Sequence, residues 1–266
     1  MEYNAENPLK ILSLGWGVQS WTLAAMAALG EIPMPDYAVH ADTTHEMAET
    51  YAHAEKWTPW LEKHGVKVRT VQNPTPEVIK KEWSDAIEIP AYMKDRLTNH
   101  IGVSNRQCTN RWKIVPIRRF IKSFITKPKP GSVAMMMGIS LDEWQRMRTS
   151  DVKYIDNMYP LVDKRIRRSD CITWLERHGL DVPPKSGCVF CPYTSATAWK
   201  QRKSEGGSNW NGAVEVDLAI RKARPGVDLF IHRSGLPLEE AVRIPEDYGA
   251  KQMEMDIPCD SGHCFV

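Results

Sequence analysis

KILSLGWGVQS, residues 10–20, joins a short apolar run to a glycine-containing turn and the start of a helix-forming segment. The apolar run predicts a buried strand over Lys10–Leu14, and the residues that follow predict a helix over Gln19–Leu29, ended by Gly30. A strand that passes through such a turn into a helix is the first unit of an α/β sheet. Since α/β sheets bind ligands at the carboxyl ends of their strands, the turn is also the first candidate site.

The rest of the first 145 residues continues the alternation of strands and helices. Further strands are predicted at 37–41, 66–71 and 132–139, with helices that begin near Thr44 and at Thr75-Pro76. This order predicts a doubly wound, mainly parallel sheet covered on both faces. The later part has short helices, one short strand predicted at Phe230-Ile231-His232, and loops rich in Pro and Gly. We therefore predict an α/β domain over residues 1–145 and a smaller, mostly helical, cysteine-bearing region over residues 146–266.

Composition excludes several classes of protein. The chain has 266 residues, a formal net charge of +2, 42% hydrophobic residues and 26% charged residues, as in an ordinary soluble protein. No apolar run approaches the roughly 20 residues of a membrane span, and the polar start does not resemble a signal peptide. We expect a cytoplasmic protein without a membrane partner. In the cytoplasm, metal binding or redox chemistry explains six cysteines better than disulfides do.

Basic residues are concentrated between His100 and Pro130, where there are eight Lys or Arg and no Asp or Glu. A second basic cluster lies at 164–168. A run so one-sided predicts contact with an anion, such as nucleotide phosphate, sulfate or a nucleic-acid backbone. For any single residue, a solvated helix face is the alternative. The eight are Arg106, Arg111, Lys113, Arg118, Arg119, Lys122, Lys127 and Lys129.

Cys188 and Cys191 form a CxxC in a loop flanked by Gly and Pro, and Cys108 lies 80 residues before Cys188 in the basic run. Two thiolates at CxxC spacing can bind one metal from a single turn, and a distant third points to a cluster formed by folding. Thiolates hold either a structural zinc or an iron–sulfur cluster, and the spacing does not separate the two.

The glycine turn has the properties of a phosphate site. Gly15 and Gly17 let backbone N–H groups approach a phosphate, and the start of the next helix adds the positive end of its dipole. The turn is neither a Walker A loop nor a GxGxxG, since Ser20 stands at the last glycine position. A tight turn without a ligand is the alternative. Asp42, after the second predicted strand, can accept hydrogen bonds from a ribose or hold Mg²⁺, or simply cap a helix.

Five motifs in order resemble the phosphoadenosine-phosphosulfate reductase and PP-loop ATP pyrophosphatase superfamily, in its iron–sulfur-containing branch. They are Gly15–Ser20, Asp42–Tyr51 (DTGxxxPETY in the family), Gln107–Ile117 (CxxxRKVxPL), Gly138–Glu143 (GxRxDE) and the CxxC. The resemblance covers most of residues 9–200 and implies a PP-loop type of α/β fold and an enzyme. It implies nucleotide contacts from Ser13, Gly15, Gly17, Val18, Gln19, Ser20, Asp42, Thr43, Arg111 and Lys113.

One departure from the family concerns charge at the phosphates. Val18 stands where ATP pyrophosphatases often have Lys, so that charge has to come from another residue, with Arg111 and Lys113 as candidates.

A second departure concerns the metal. Gln107 replaces the first cysteine of the Cys-Cys pair of adenylyl-sulfate reductases, which leaves three aligned cysteines and calls for a fourth ligand. Cys171 is the candidate, although its place on a helix also fits a buried structural thiol. The resemblance favours a [4Fe–4S] cluster, with zinc as the alternative.

The end of the chain, Cys259-Asp-Ser-Gly-His-Cys264, resembles the cysteine-bearing tail of sulfonucleotide reductases. A thiolate beside His263 can be activated for attack on sulfur, so Cys259 and Cys264 are the candidate catalytic residues. A redox-inert tail or a second metal site is the alternative.

Three functions are compatible with this pattern. The first is ATP-dependent sulfur transfer to tRNA or DNA, which releases AMP and pyrophosphate and needs Mg²⁺ and a sulfur donor. The second is reduction of adenylyl sulfate or its 3′-phosphorylated form to sulfite, with thioredoxin as the reductant. The third is a metal-stabilised nucleic-acid-binding protein without catalysis. We expect the first, in a homo-oligomer.

Overall fold

The computed structural model describes residues 3–73 and 87–243. Their described parts form two compact units, the first from residues 3–73 and 112–186 and the second from residues 87–111 and 187–243. The division therefore differs from the predicted boundary at residue 145. The first unit extends beyond it because a strand and two helices of the sheet layer follow that point in the chain.

The strands, in chain order, are β1 (Leu9–Ser13), β2 (Tyr37–Asp42), β3 (Val68–Gln72), β4 (Tyr92–Asp95), β5 (Ile101–Val103), β6 (Val133–Met136), β7 (Ile155–Met158) and β8 (Val227–Phe230). The helices are α1 (Val18–Ala28), α2 (Ala48–Lys63), α3 (Val115–Lys122), α4 (Pro160–Asp163), α5 (Arg168–Arg177), α6 (Ala196–Glu205), α7 (Gly207–Ile220) and α8 (Leu238–Ala241). A π-helical turn at Thr109–Ile114 leads into α3, and Leu141–Arg146 is a 3₁₀ turn. In the described part of the chain, no helix has both the length and the apolar character needed to cross a membrane.

The first unit contains a five-stranded parallel sheet in the order β3-β2-β1-β6-β7. The central strand β1 pairs with both neighbours, and Leu12 lies beside Ala38 of β2 and Met136 of β6. Successive residues of β1 point to opposite faces, so Leu12 packs in the core with α1 and α5 while Ile11 packs in the core with α3. The predicted doubly wound, mainly parallel sheet is confirmed.

Two local predictions in the first unit differ from the structure. The edge strand β7 (IDNM) was not predicted, because Asp156 and Asn157 interrupt the apolar run by which a buried strand is recognised. The helix expected to begin near Thr44 begins at Ala48, and Thr44 itself takes a left-handed conformation with φ of 61°. The helix predicted at Thr75-Pro76 lies outside the described residues.

The second unit combines helices α6, α7 and α8 with a three-stranded antiparallel sheet in the order β5-β4-β8. The sequence predicted mostly helix here and one short strand near Phe230, which the structure has as β8. At its centre lies Asp217 of α7, whose carboxylate accepts hydrogen bonds from the backbone amides of Ile231 and Leu238, each at 3.0 Å, and pairs with Arg221. This buried carboxylate joins α7 to the chain that follows β8.

Candidate nucleotide site and cysteine loop

The turn after β1 holds an uncommon backbone conformation. Trp16 has φ of 56°, in the left-handed region that bulky residues rarely adopt. Its indole is buried and lies 5.9 Å, centroid to centroid, from the rings of both Trp21 and His53. Aromatic packing thus compensates for the backbone strain at Trp16, a combination that often occurs at functional sites.

Gly17 is the N-cap of α1, and its lack of a side chain matters in two ways. A Cβ on Gly17 would lie 2.8 Å from Oγ of Ser186, so no larger residue fits without a shift. Gly17 also offers no capping oxygen to the first amides of α1, which leaves this end of the helix open to an external acceptor. Oγ of Ser20 accepts a hydrogen bond from the Gly15 amide at 3.1 Å and donates to the Gly17 carbonyl at 3.2 Å, which fixes the turn.

The chain after β6 packs directly against this turn. A Cβ on Gly138 would lie 2.8 Å from the backbone nitrogen and 2.9 Å from Cα of Ser20, and neither backbone atom can move aside easily. Only glycine allows this approach. The first and fourth motifs of the sequence therefore meet at the carboxyl edge of the sheet, where α/β proteins bind ligands.

A buried polar network continues from the turn. The Gln19 amide donates to Glu143 at 3.1 Å and accepts from the Arg168 guanidinium at 2.8 Å, while Glu143 also pairs with Arg146. The sequence predicted that Gln19 contacts the nucleotide. It did not single out Arg168, and the only sequence feature that indicated a role in anion binding for this residue was its place in the basic cluster at 164–168. In the structure Gln19 connects the turn to a cation that sequence reasoning missed.

Asp42 lies at the carboxyl end of β2 in a shell of hydrogen-bond donors. Its carboxylate accepts from the Thr44 amide at 2.7 Å, the Tyr51 hydroxyl at 2.8 Å and the Gln72 amide at 2.6 Å. Burial raises the pKa of Asp42, but these hydrogen bonds together outweigh it and hold the pKa below its usual value. Asp42 is therefore an ionised carboxylate near neutral pH, oriented by Tyr51 of the same motif.

A second buried network lies behind Asp42. The Thr43 hydroxyl donates to Glu46 at 3.2 Å, and the ammonium of Lys113 lies 3.4 Å from the same carboxylate. In the second unit, Arg111 donates to the buried Glu88 at 2.7 Å. Both cations that the sequence proposed for the phosphates thus pair with buried carboxylates. Ser13 and Val18, the remaining predicted contacts, are buried beside the turn.

The CxxC loop belongs to the second unit and is tightly held. The Cys191 amide donates to the Cys188 carbonyl at 3.1 Å, which closes a turn around the buried Phe190. The buried guanidinium of Arg202 donates to the Val189 carbonyl, between the two cysteines, at 2.7 Å. A charged donor at that position orients the loop and adds positive charge beside its thiols.

Cys108 and Cys191 both lie close to Tyr193 in the second unit. The pKa of Tyr193 is raised first by burial, and the charges of both thiols add to that rise, while Arg106, 4.3 Å from the ring centroid, opposes it. Among residues 3–73 and 87–243, however, no three His, Cys, Asp or Glu side chains are arranged to hold a metal ion. The described thiols do not make up a preformed metal site, so the cluster stays a prediction.

Cys171, the predicted fourth ligand, lies in the first unit. It is fully buried on α5 within the apolar core, and burial raises the pKa of its thiol to about 12, against a smaller opposing effect of the Thr22 hydroxyl. These are the surroundings of the structural thiol that the sequence left open as the alternative. The predicted catalytic residues Cys259 and Cys264 lie outside the described residues.

A histidine behind the glycine turn gives the first testable prediction. His53 of α2 is buried against Trp21 and Trp57, at 5.3 and 6.3 Å between ring centroids, and its Nε2 has no hydrogen-bond partner in the described structure. Burial lowers the pKa of His53 to about 4, with Lys56 adding to the shift and Asp181 opposing it. Between pH 6.5 and about 4, the unfolded chain therefore takes up a proton that the folded protein does not.

As the pH is lowered from 6.5 to about 4, we expect the free energy of unfolding to decrease by up to about 1.4 kcal/mol per pH unit because of His53. Above pH 6.5, His53 should add no pH dependence to the stability. Substitution of His53 by Phe should remove that part of the slope. Urea unfolding at several pH values, followed by tryptophan fluorescence, measures it. The control is H178F, at a half-exposed histidine on α5's C-terminal side. Parallel pH curves for the wild type and H53F would contradict the prediction.

Comparison with known proteins adds a structural similarity. No family model matches the chain, and no curated protein matches it in sequence. Among solved structures, the chain is similar to phosphoadenylyl-sulfate (PAPS) reductase from Candida auris, solved as a phosphate complex, with a TM-score of 0.43 and 12% sequence identity. The similarity covers 65% of this chain and 74% of the other. At this level the similarity does not bear on function, which has to be argued from the residues.

Proposed function

We propose that the protein is an ATP pyrophosphatase-type enzyme that binds an adenine nucleotide at the carboxyl edge of the parallel sheet and transfers sulfur to a nucleic acid. The observation that carries the proposal is the meeting of the glycine turn, the open N-terminus of α1 and the 138–143 segment at that edge. There, a Cβ on Gly138 would lie 2.8 Å from the backbone nitrogen of Ser20, so only glycine allows the two segments to pack this closely. Such convergence is typical of sites that hold phosphate on backbone amides.

The phosphates would lie at the first amides of α1, where Gly17 provides no side-chain cap. The positive charge expected from a lysine at position 18 would come from Arg168. This guanidinium is held 2.8 Å from the Gln19 side chain, one residue after that position, and is only partly buried. Asp42, ionised and fixed by three donors, would accept the ribose hydroxyls or hold Mg²⁺.

The proposed reaction has two steps. A carbonyl oxygen of a base attacks the α-phosphorus of ATP, the bond from that phosphorus to the bridging oxygen breaks, and pyrophosphate leaves. The base is then adenylated at its oxygen. Hydrosulfide supplied by a sulfur donor attacks the activated carbon, the carbon–oxygen bond breaks, and AMP leaves with the oxygen. The phosphate-binding edge would stabilise charge on the phosphates during the first step.

The cysteines of the second unit would handle the sulfur. Cys108, Cys188 and Cys191 are the thiols that would hold a [4Fe–4S] cluster or zinc, and such a metal centre could bind hydrosulfide from the donor. Since the described residues form no metal site, no step is assigned to a metal. Iron, zinc and acid-labile sulfide should be measured in anaerobically purified protein, with C188A as the comparison.

The proposed activity is tested by incubating anaerobic protein with ATP, Mg²⁺ and tRNA or single-stranded DNA, and measuring pyrophosphate. We expect release that depends on the nucleic acid. Release of sulfite from adenylyl sulfate, with no pyrophosphate from ATP under any condition, would instead establish the reductase and overturn the proposal.

Arg168 gives the sharper test of the site. We expect Arg168→Gln to reduce pyrophosphate release by about tenfold to a hundredfold, the range for losing a charged hydrogen bond to phosphate. The matched control is Lys164→Gln, which removes an exposed cation of the same cluster. Equal loss in both variants would mean that the charge of the cluster as a whole matters, and would contradict a specific role for Arg168.

A further inference from the structure

Three aromatic rings meet on the surface of the first unit, away from the nucleotide turn. The ring centroids of Tyr37 and Phe120 lie 5.3 Å apart, those of Tyr37 and Phe124 5.0 Å, and those of Phe120 and Phe124 5.1 Å. Tyr37 and Phe120 are partly buried against the core below α3, whereas Phe124 is 39% exposed. The outermost ring thus offers its surface to solvent from a rigid base.

Two cations lie against the Tyr37 ring, and two more are exposed on α3. The Lys67 ammonium lies 5.6 Å and the Arg69 guanidinium 5.7 Å from the centroid of the Tyr37 ring, within the range of cation–π attraction. Arg119 and Lys122 are exposed residues of α3, the helix that carries Phe120. We call this set of seven residues the aromatic–basic patch; it comprises Tyr37, Lys67, Arg69, Arg119, Phe120, Lys122 and Phe124.

Two carboxylates lie at the margin of the patch. Glu62 is 3.9 Å from Arg69, a long and solvent-exposed pairing, and Asp36 accepts a hydrogen bond from the Lys10 amide at 2.8 Å. The four cations of the patch therefore outnumber the nearby acids. A strip that is positive overall and carries an exposed ring is complementary to a polyanion with stackable bases.

The patch lies at the opposite edge of the sheet from the nucleotide turn. Tyr37 begins β2 and Lys67 immediately precedes β3, whereas Asp42 and the turn stand at the carboxyl ends. A strand the length of β2 spans roughly 20 Å, a distance that a few nucleotides of single strand can cover.

We propose that the aromatic–basic patch binds single-stranded nucleic acid, with one base stacked on Phe124 and the backbone following Lys67, Arg69, Arg119 and Lys122. Stacking requires an unpaired base, because a duplex does not present a base face. This inference rests on the proposed function and deepens it, since it names the substrate class as single-stranded and assigns its binding surface. A patch of cations alone would not distinguish single from double strands; the exposed ring does.

Binding of fluorescently labelled single-stranded RNA and DNA oligonucleotides, and of the matching duplexes, to the full chain without ATP tests the proposal by fluorescence anisotropy. We expect Phe124→Ala to weaken single-strand binding about tenfold and to leave duplex binding unchanged. Phe124→Leu keeps an apolar side chain that packs on the same rings but cannot stack, and should show the same loss. The control is Leu218→Ala, at an exposed apolar residue of the second unit. Thermal unfolding of each variant checks the fold.

A charge variant gives a second readout. Lys122→Gln should lower the salt dependence of single-strand binding by about one unit of slope, whereas Phe124→Leu should leave that slope unchanged. Wild-type affinity in Phe124→Leu, or an equal loss for duplex, would overturn the proposal. So would binding of anionic phospholipid vesicles that depends on Phe124 while oligonucleotide binding does not. The binding assay contains no ATP, so its result does not depend on the proposed reaction. If Phe124→Leu lost single-strand binding but the wild type released no pyrophosphate, the proposed reaction would be refuted and the assignment of the aromatic–basic patch would stand.

Discussion

Substitution of Gly138 by Ala is expected to lower the affinity for ATP at least tenfold. The new Cβ would stand 2.8 Å from the backbone nitrogen and 2.9 Å from Cα of Ser20. Contacts of this length with backbone are relieved only when the chain moves, and overpacking of this kind costs about 1–3 kcal/mol. The movement would displace the first turn of α1, whose amides are the proposed phosphate donors.

The measurement is ATP binding by isothermal titration, with stability followed by urea unfolding. Gly102→Ala is the matched control, since its Cβ would find only the tip of Met93, at 3.9 Å. We expect Gly102→Ala to bind ATP as the wild type does. Unchanged affinity in Gly138→Ala would show that nucleotide does not depend on the contact between the 138–143 segment and the turn, and the proposed site would be wrong.

The parallel sheet could be predicted from sequence because its central strands are apolar on both faces. Leu12 and Ile11 pack in the hydrophobic cores on opposite faces of the sheet, so β1 is a continuous apolar run in the sequence. The glycine turn marks where that run ends. The edge strand β7 has no such run, since an edge strand is covered less. It became recognisable only through its pairing with β6.

The second unit could not be predicted because its sheet joins distant segments. Tyr92 of β4 pairs with Phe230 of β8; a short strand near Phe230 was predicted, but β4 has neither the alternation nor the apolar character that would predict it alone. The same holds for the carboxyl edge of the parallel sheet. The predicted parallel sheet places the glycine turn and the end of β2 at one edge, but the pairing of Gln19 with Arg168 depends on a contact between distant positions.

The spacing of the motifs predicted least well which basic side chains are paired with carboxylates. Lys113 was assigned to phosphate because it stands in a basic motif, yet the sequence does not show that Glu46 would be buried 3.4 Å from its ammonium. A buried cation is costly unless it is paired, so the carboxylate that balances it matters as much as the motif itself. Arg168 is partly exposed and held by a neutral amide, which makes it the better candidate for an external anion.

Substitution of Asp217 by Ala is expected to destabilise the second unit by about 3–5 kcal/mol, the cost of leaving a buried partner charge and buried amides without an acceptor. The carboxylate is almost fully buried and accepts from the Ile231 and Leu238 amides at 3.0 Å while it pairs with Arg221. Alanine removes all three interactions at once and leaves nothing of similar shape.

Asp228 provides the matched control because it also pairs with two cations, Arg96 and Lys222, but at the surface. Asp228→Ala should cost at most about 1 kcal/mol. Urea unfolding of both variants gives the difference, and alkylation of the cysteines provides a second measure. Arg233 lies between the two residues bound by Asp217, Ile231 and Leu238. The pKa of Tyr92 is raised chiefly by burial; the charge of Arg233 lowers it and that of Cys191 raises it, so both residues lie near Tyr92, and loosening the Asp217-bound segment should speed alkylation at Cys191. Equal stability of the two variants would mean that α7 and the chain after β8 are held together by apolar packing and not by Asp217.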